Sequence, residues 1–246
     1  MIDEKLAKWV DAHTDEMVDS LVRLVNIRSV SDEEHGTPDA PYGEGCRKVL
    51  AEGSRLAQSM GFTTFNHENY CASAVWKGEK TDEIGLFGHL DVVPEGTGWT
   101  YDPYNATVKD GIIIGRGAWD NKGPTVAALY AVKYLKDSGV KLKHTVRMYL
   151  GASEECGMSD VVYYTKHNPM PKFSLVPDVD FPACYGEKGI FRLNVSCDLS
   201  GGNLLEFVSG EIPNMFPARA YVVVAASRDK VEKALSGRMT GDFAVE

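Results

Sequence analysis

The chain predicts an α/β domain on a mixed, largely parallel sheet, and three observations carry that fold class. Short apolar runs such as Ile84-Gly85-Leu86-Phe87-Gly88 read as strands. They alternate with longer stretches of helical period such as 123–136, and Gly, Pro, Asn and Asp gather at the joints. The 246 residues suffice for one large domain or two modest ones, and 43% apolar with 25% charged residues is globular usage rather than a disordered composition.

The elements follow in order. Ile2, Leu6, Trp9, Val10, Met17, Leu21, Leu24 and Val25 recur at near-helical spacing, so 2–25 is an amphipathic helix. A polar loop over 31–43 leads to a second helix over 45–60, closed by Gly61. Strands are expected at 71–76 and 84–88; the second has no polar alternation and is expected to be buried on both faces. Residues 106–108 and 112–114 flank Lys109-Asp110-Gly111, a hairpin signal. A long helix over 123–136 stops at Ser138-Gly139, followed by a strand at 145–150, a helix at 159–167 and a short strand at 173–176. Beyond Gly189 the pattern changes. Residues 191–196 alternate as a half-exposed strand, another strand covers 220–225 and a short helix 230–235, so a domain boundary falls near Glu187, separating 1–187 from 188–246.

Charge and cysteine usage narrow the function classes. Lys and Arg number 26 against 35 Asp and Glu, a net charge of −9, which disfavours nucleic acid and anionic membrane as partners. The longest uncharged apolar segment in the middle of the chain, 125–132, falls short of the roughly 18 residues of a membrane span. The start, Met1-Ile2-Asp3-Glu4-Lys5, is acidic, unlike a secretory signal. Cysteines at 46, 71, 156, 184 and 197 are odd in number and form no C-x-x-C pair, which suits a reducing cytoplasm and offers no thiolate zinc site. The sequence carries no signal for oligomeric state.

Four clusters sit just after expected strands or connections, where α/β sheets collect ligands. In Gly88-His89-Leu90-Asp91 the i, i+2 spacing turns His89 and Asp91 to one side, so that Asp91 can orient an imidazole that binds a metal; a plain hydrogen-bonded pair explains it as well. Asp120, in 115–123, stands before the long helix, where it can bridge two cations or simply cap the helix. Glu154 and Glu155 follow the strand at 145–150 as an acidic turn or a working pair. A carboxylate on a metal is a poor base, so one can ligate while the other takes a proton. Asp178 follows the strand at 173–176, in a Pro-Asp context that also suits a turn. Singly each is weak; together, one His and several carboxylates match a zinc- or manganese-type N/O site.

The motifs GHLDVVP, GRGAWDNKGP, EECG, PDVDFP and GEKG, in this order, resemble the dinuclear zinc metallopeptidases that include carnosinase, aminoacylase, acetylornithine deacetylase and succinyl-diaminopimelate desuccinylase. The likeness runs over nearly the whole chain and is greatest to the PepV-like (Xaa-His) dipeptidase branch, through GHLDVVPEGTGW, Asn121-Lys122-Gly123 and PDVDFPACYGEKG. The resemblance implies a three-layer αβα catalytic domain with a ferredoxin-like lid, and a metal-dependent dipeptidase acting on small peptides. It further implies two divalent cations, zinc first, with manganese or cobalt admitted. One cation would take His89, Asp120 and Asp178, the other Asp120 and Glu155, with Asp120 as the bridge. Glu154 would be the general base, Asp91 the clamp on His89, and the Asp120–Asn121 peptide bond cis.

Two further histidines of that pattern, a second-site ligand and a lid residue, have no counterpart. His13, His35, His67, His144 and His167 stand outside the motif contexts and read as surface or packing residues. The segment 209–220 is similar to the opening of the lid, so the chain is expected to be the N-terminal portion of a longer dipeptidase, ending inside the lid. An N-acyl amino-acid deacylase on the same scaffold and a catalytically incompetent metal-binding fragment are the alternatives.

Overall fold

The computed structural model describes residues 3–179, 183–191, 193–197, 201–210, 217 and 219–236. The chain divides into two compact units, Met1–Tyr185 and Gly186–Glu246. In the first, α1 spans Glu4–Val25, α2 Gly43–Ser59, α3 Lys122–Asp137 and α4 Ser159–His167. Strands are β1 Thr63–His67, β2 Cys71–Trp76, β3 Lys80–His89, β4 Thr107–Lys109, β5 Ile112–Ile114, β6 His144–Gly151 and β7 Phe173–Leu175.

Each helix boundary has a local cause. Asp3 caps α1 by accepting from the Lys5 amide at 3.1 Å. Along α2 the buried residues Cys46, Val49, Leu50, Gly53, Leu56 and Ala57 form one apolar stripe. The helix ends where Gly61 turns to a φ of 76°, its amide bonding Gln58 O while that of Phe62 bonds Ala57 O. This is a Schellman closure, at the residue expected to close the helix. Asp110 and Gly111, both at positive φ, make the two-residue turn between β4 and β5.

The five-stranded sheet has the order β1-β2-β6-β3-β7. β3 pairs in parallel with β6 and with β7, while β2 runs antiparallel to β6 and to β1. Only β2 therefore opposes the common direction. Alternate side chains part to the two faces. Ala72, Ala74, Leu86, Met148 and Leu150 join the core with residues of α1, α2 and α3, whereas Cys71, Phe87 and Tyr149 meet Val161 and Tyr164 of α4. The unit is the expected three-layer αβα arrangement. Leu24, Leu90, Leu129 and Leu150 are at most 2% exposed, and truncating one to Ala costs about 2–5 kcal/mol.

This topology brings the carboxyl ends of β3, β6 and β7 to one edge of the sheet. His89 lies opposite Gly151, and the Leu90 amide donates to Gly151 O at 2.9 Å. The segment after β7 emerges beside them, because Leu175 pairs with Leu86.

Several expectations are corrected. β1 was not expected: Thr-Thr-Phe-Asn-His has no apolar alternation and is a strand because β2 supplies its partner. β3 starts earlier than expected, at Lys80, and its apolar run is half-buried rather than buried on both faces; its neighbour β7 is only three residues long and exposed. No strand forms among the described residues of 191–196, where no partner strand supplies the hydrogen bonds that an alternating pattern needs. In the second unit β8, Leu204–Ser209, instead pairs antiparallel with β9, Ala220–Val224, and α5, Arg228–Leu235, follows. Residues 180–182 of the PDVDFP motif, and 211–216 and 218 of the expected lid opening, lie outside the described residues. No described helix is long and apolar enough to cross a membrane.

Candidate metal centre

His89, the last residue of β3, is 3% exposed and has its two ring nitrogens in different surroundings. Nδ1 lies 3.1 Å from the Asp91 carbonyl and 3.3 Å from Asp91 Oδ1. Nε2 faces a ring of acids: Asp120 Oδ1 at 3.1 Å, Asp178 Oδ2 at 3.7 Å and Glu154 Oε2 at 3.9 Å. Contacts at Nδ1 that fix the ring and turn Nε2 toward a group of oxygen donors are the arrangement of a metal-binding imidazole.

Asp91 is fully buried and does more than steady His89. Its Oδ1 accepts from the Glu154 amide at 3.2 Å and its Oδ2 from the Glu155 amide at 3.1 Å. One carboxylate therefore ties the end of β3 to the turn after β6. A second buried acid, Asp160 of α4, supports the same turn from behind, its Oδ2 accepting from the amides of Ala152 and Ser153. Sequence reasoning missed Asp160, because an acid in the first turn of a helix reads as an ordinary favourable placement.

Asp120 is not a helix cap. The residue preceding α3 is Asn121, without a side-chain capping bond, and the Asp120 carboxylate turns instead toward His89. The Asp120–Asn121 peptide bond is cis, as the resemblance implied. Next in sequence, Lys122 is wholly buried. Its ammonium donates to Leu24 O and Ile27 O, each at 3.0 Å, fastening the end of α1 to the start of α3.

The six expected residues, His89, Asp91, Asp120, Glu154, Glu155 and Asp178, thus converge at one place. Among the described residues, two donor sets have ligand atoms within 4.8 Å of one another: His89, Glu154 and Asp178, and His89, Asp120 and Glu155. The residue shared by the two sets is His89, where the resemblance made Asp120 the bridge, and Glu154 stands among the donors rather than apart from them.

The electrostatics match the crowding. Burial would push the His89 imidazole down, yet Asp120, Asp91 and Glu154 hold it up at about 11. Burial, then the Asp120 charge, pushes Glu155 up to about 7. Glu154 and Asp178 are also raised, chiefly by burial, with neighbouring carboxylates adding to it and His89 opposing. Asp120 is lowered by its hydrogen bond to His89. One imidazole facing Asp91, Asp120, Glu154, Glu155 and Asp178 leaves an excess of negative charge that divalent cations would neutralise. The donors are N and O alone, the set that suits zinc, manganese or cobalt.

The chain is also similar to known proteins. Residues 85–199 match the model described as peptidase family M20/M25/M40. The chain is 37% identical over 222 residues to "Putative dipeptidase YtjP" of Bacillus subtilis (strain 168), covering 88% of this chain and 48% of that protein. It is 38% identical over 218 residues to a dipeptidase-named protein of Staphylococcus aureus (strain bovine RF122 / ET3-1), covering 86% of this chain and 46% of that one. The chain therefore spans about half the length of the curated relatives it matches. Among solved structures, human carnosine dipeptidase 1 superposes with a TM-score of 0.56 at 24% identity, over 72% of this chain and 41% of that one. The M20 family metallo-carboxypeptidase Sso-CP2 of Sulfolobus solfataricus does so with 0.54 at 22% identity, over 66% and 37%. These two likenesses are likenesses of fold.

Proposed function

We propose that this chain carries the metal centre of a dipeptidase that hydrolyses the peptide bond of small peptides, a reading supported by the match of residues 85–199 to the peptidase family M20/M25/M40 and by the likeness to dipeptidase-named proteins. The observation that carries the reading is the ring of Asp120, Glu154 and Asp178 around His89 Nε2, with Glu155 completing the second donor set.

In this reading His89, Asp120, Glu155 and Asp178 hold two divalent cations, zinc first. When bound, such cations supply Lewis acidity, lowering the pKa of a water and polarising an amide carbonyl. The chain's residues do the rest. Glu154 takes the proton from the attacking water as the new C–O bond forms. It delivers that proton to the leaving amine nitrogen as the C–N bond breaks, so that one water and one peptide give a carboxylic acid and an amine. A carboxyl raised by burial is suited to hold a proton between those two steps. Asp91 keeps the His89 ring and the 154–155 turn in register. We read 188–246 as lid-domain sequence, a reading supported by the likeness of 209–220 to a lid opening and by the β8-β9-α5 order of the described elements.

The test pairs binding with turnover. The chain is freed of metal, titrated with Zn²⁺ and Mn²⁺ by calorimetry, and assayed against dipeptides and N-acyl amino acids. Cation uptake, with dipeptide cleavage abolished by a chelator, is the expected result. A chain that takes up no divalent cation sinks the proposal, and a preference for N-acyl amino acids replaces dipeptidase by deacylase.

A further inference from the structure

Asn121 belongs to the metal-centre motif but has no role in the reading above, and its surroundings are specific. The side chain is 1% exposed. Its Nδ2 donates to Asp178 Oδ1 at 2.6 Å and to the Pro177 carbonyl at 2.9 Å, and its Oδ1 accepts from Thr125 Oγ1 at 2.9 Å. Asp178 and Pro177 offer acceptors and Thr125 a hydroxyl, so the amide can be oriented only one way, with both N–H groups and the carbonyl in use.

The consequence falls on Asp178. One of its oxygens is engaged by Asn121, while the other, Oδ2, points into the site, 3.7 Å from His89 Nε2. Asp178 sits beyond β7 in neither helix nor strand, so a side-chain partner is needed to set the plane of its carboxylate. Room for that partner is built into β3: a Cβ on Gly88 would come within 2.3 Å of Thr125 Oγ1 and 3.2 Å of Asn121 Oδ1. The glycine before His89 thus makes space for the Thr125–Asn121 pair, and the pair reaches Asp178.

We propose that Asn121 is a positioning residue that orients the Asp178 carboxylate so that a single oxygen, Oδ2, is presented to a cation. The inference rests on the metal-centre reading above. Outer hydrogen bonds of this kind typically carry about 10–100-fold in metal affinity.

The experiment is calorimetric titration of the metal-free chain with Zn²⁺, comparing wild type, Asn121→Ala, Thr125→Val and Asp178→Asn, with the melting temperature of each metal-free variant recorded alongside. Asp178→Asn identifies the binding step that uses Asp178. Asn121→Ala is expected to weaken that step by about 10–100-fold and leave any other step within about twofold. Thr125→Val, which removes the hydroxyl that steadies Asn121 at 2.9 Å and also reaches the His89 carbonyl at 3.4 Å, is expected to weaken the same step by a smaller factor. Asn121→Ala binding within about twofold of wild type overturns the inference, and so does an equal loss at every step with a lowered melting temperature. If Asn121→Ala does not fold, Thr125→Val decides, and unchanged binding there overturns it. A wild-type chain that binds no Zn²⁺ overturns the metal-centre reading itself, whereas wild-type binding with an indifferent Asn121→Ala overturns only this inference.

Discussion

Asp91 uses its two oxygens on the backbone amides of Glu154 and Glu155 while Oδ1 also stands 3.3 Å from the His89 ring. Asn at this position would keep one acceptor and turn an N–H₂ donor toward a backbone N–H, leaving a buried donor unpaired at a cost of about 1–3 kcal/mol. We expect Asp91→Asn to lower the melting temperature of the metal-free chain and to weaken cation binding by about 10–100-fold, as calorimetry would read. Unchanged affinity would show that Asp91 merely fills space. Glu154 separates differently. With His89, Asp120, Glu155 and Asp178 intact, Glu154→Ala is expected to retain cation binding and to lose about 10²–10⁴ in dipeptide turnover. Because Glu154 is grouped with His89 and Asp178, the same variant also tests its part in binding: a large loss of affinity would make it a ligand rather than a base. All six of these residues were legible in the sequence, since each follows an expected strand or opens a helix and their order is specific. Asn121 and Lys122 were not assigned roles, because Asp178, Pro177, Leu24 and Ile27, which they bind, come from distant segments; Asp160 was not, because an acid in the first turn of a helix reads as an ordinary placement.

At the scale of elements, the edge of the sheet is held by a chain of contacts that no apolar pattern reveals. Arg147 of β6 pairs with Glu83 of β3 and donates from Nη1 to Ser73 Oγ of β2 at 2.9 Å; Ser73 Oγ in turn lies 3.0 Å from Nε2 of His67 on β1. With Arg147 donating to it, the Ser73 hydroxyl has its hydrogen available for His67, which must then be neutral to accept. Burial and the Arg147 charge both lower the His67 pKa below its ordinary value. The unfolded chain therefore binds a proton that the folded chain resists. Stability is unaffected above the ordinary histidine pKa, falls as pH drops through it, and the loss is complete once pH is below the folded value. We expect the melting temperature to drop between pH 7 and pH 5 and His67→Gln to flatten that dependence; an equal drop in both proteins would rule His67 out. The central sheet and the helices were readable from apolar period and from Gly-marked ends. β1 was not, because a polar edge strand is made by its neighbour, and the described residues of 191–196 differ from expectation for the complementary reason, an alternating pattern that meets no partner among the described residues.

For the molecule as a whole, the net charge of −9 and the metal centre are linked, because a concentrated share of the acids faces His89. Bringing Asp91, Asp120, Glu154, Glu155 and Asp178 to one sheet edge opposes folding by burial of charge and by mutual repulsion: burial first, with neighbouring carboxylates adding to it, raises the pKa values of Glu154, Glu155 and Asp178. Divalent cations bound there relieve that repulsion and bind the folded state in preference to the unfolded one, so they stabilise by mass action. At one hundred times the dissociation constant the gain is about 2.7 kcal/mol, and for a chain of this size each kcal/mol raises the melting temperature by about 2–4 °C. We therefore expect Zn²⁺ or Mn²⁺ to raise the unfolding temperature of the chain by several degrees in a concentration-dependent way and a chelator to reverse it. His89→Ala should abolish the shift, because that imidazole belongs to both donor sets. A shift that survives His89→Ala would place the stabilising cation elsewhere, whereas its loss there, with retention in His35→Ala on the exposed Asp32 pair, ties the stability of the fold to this centre.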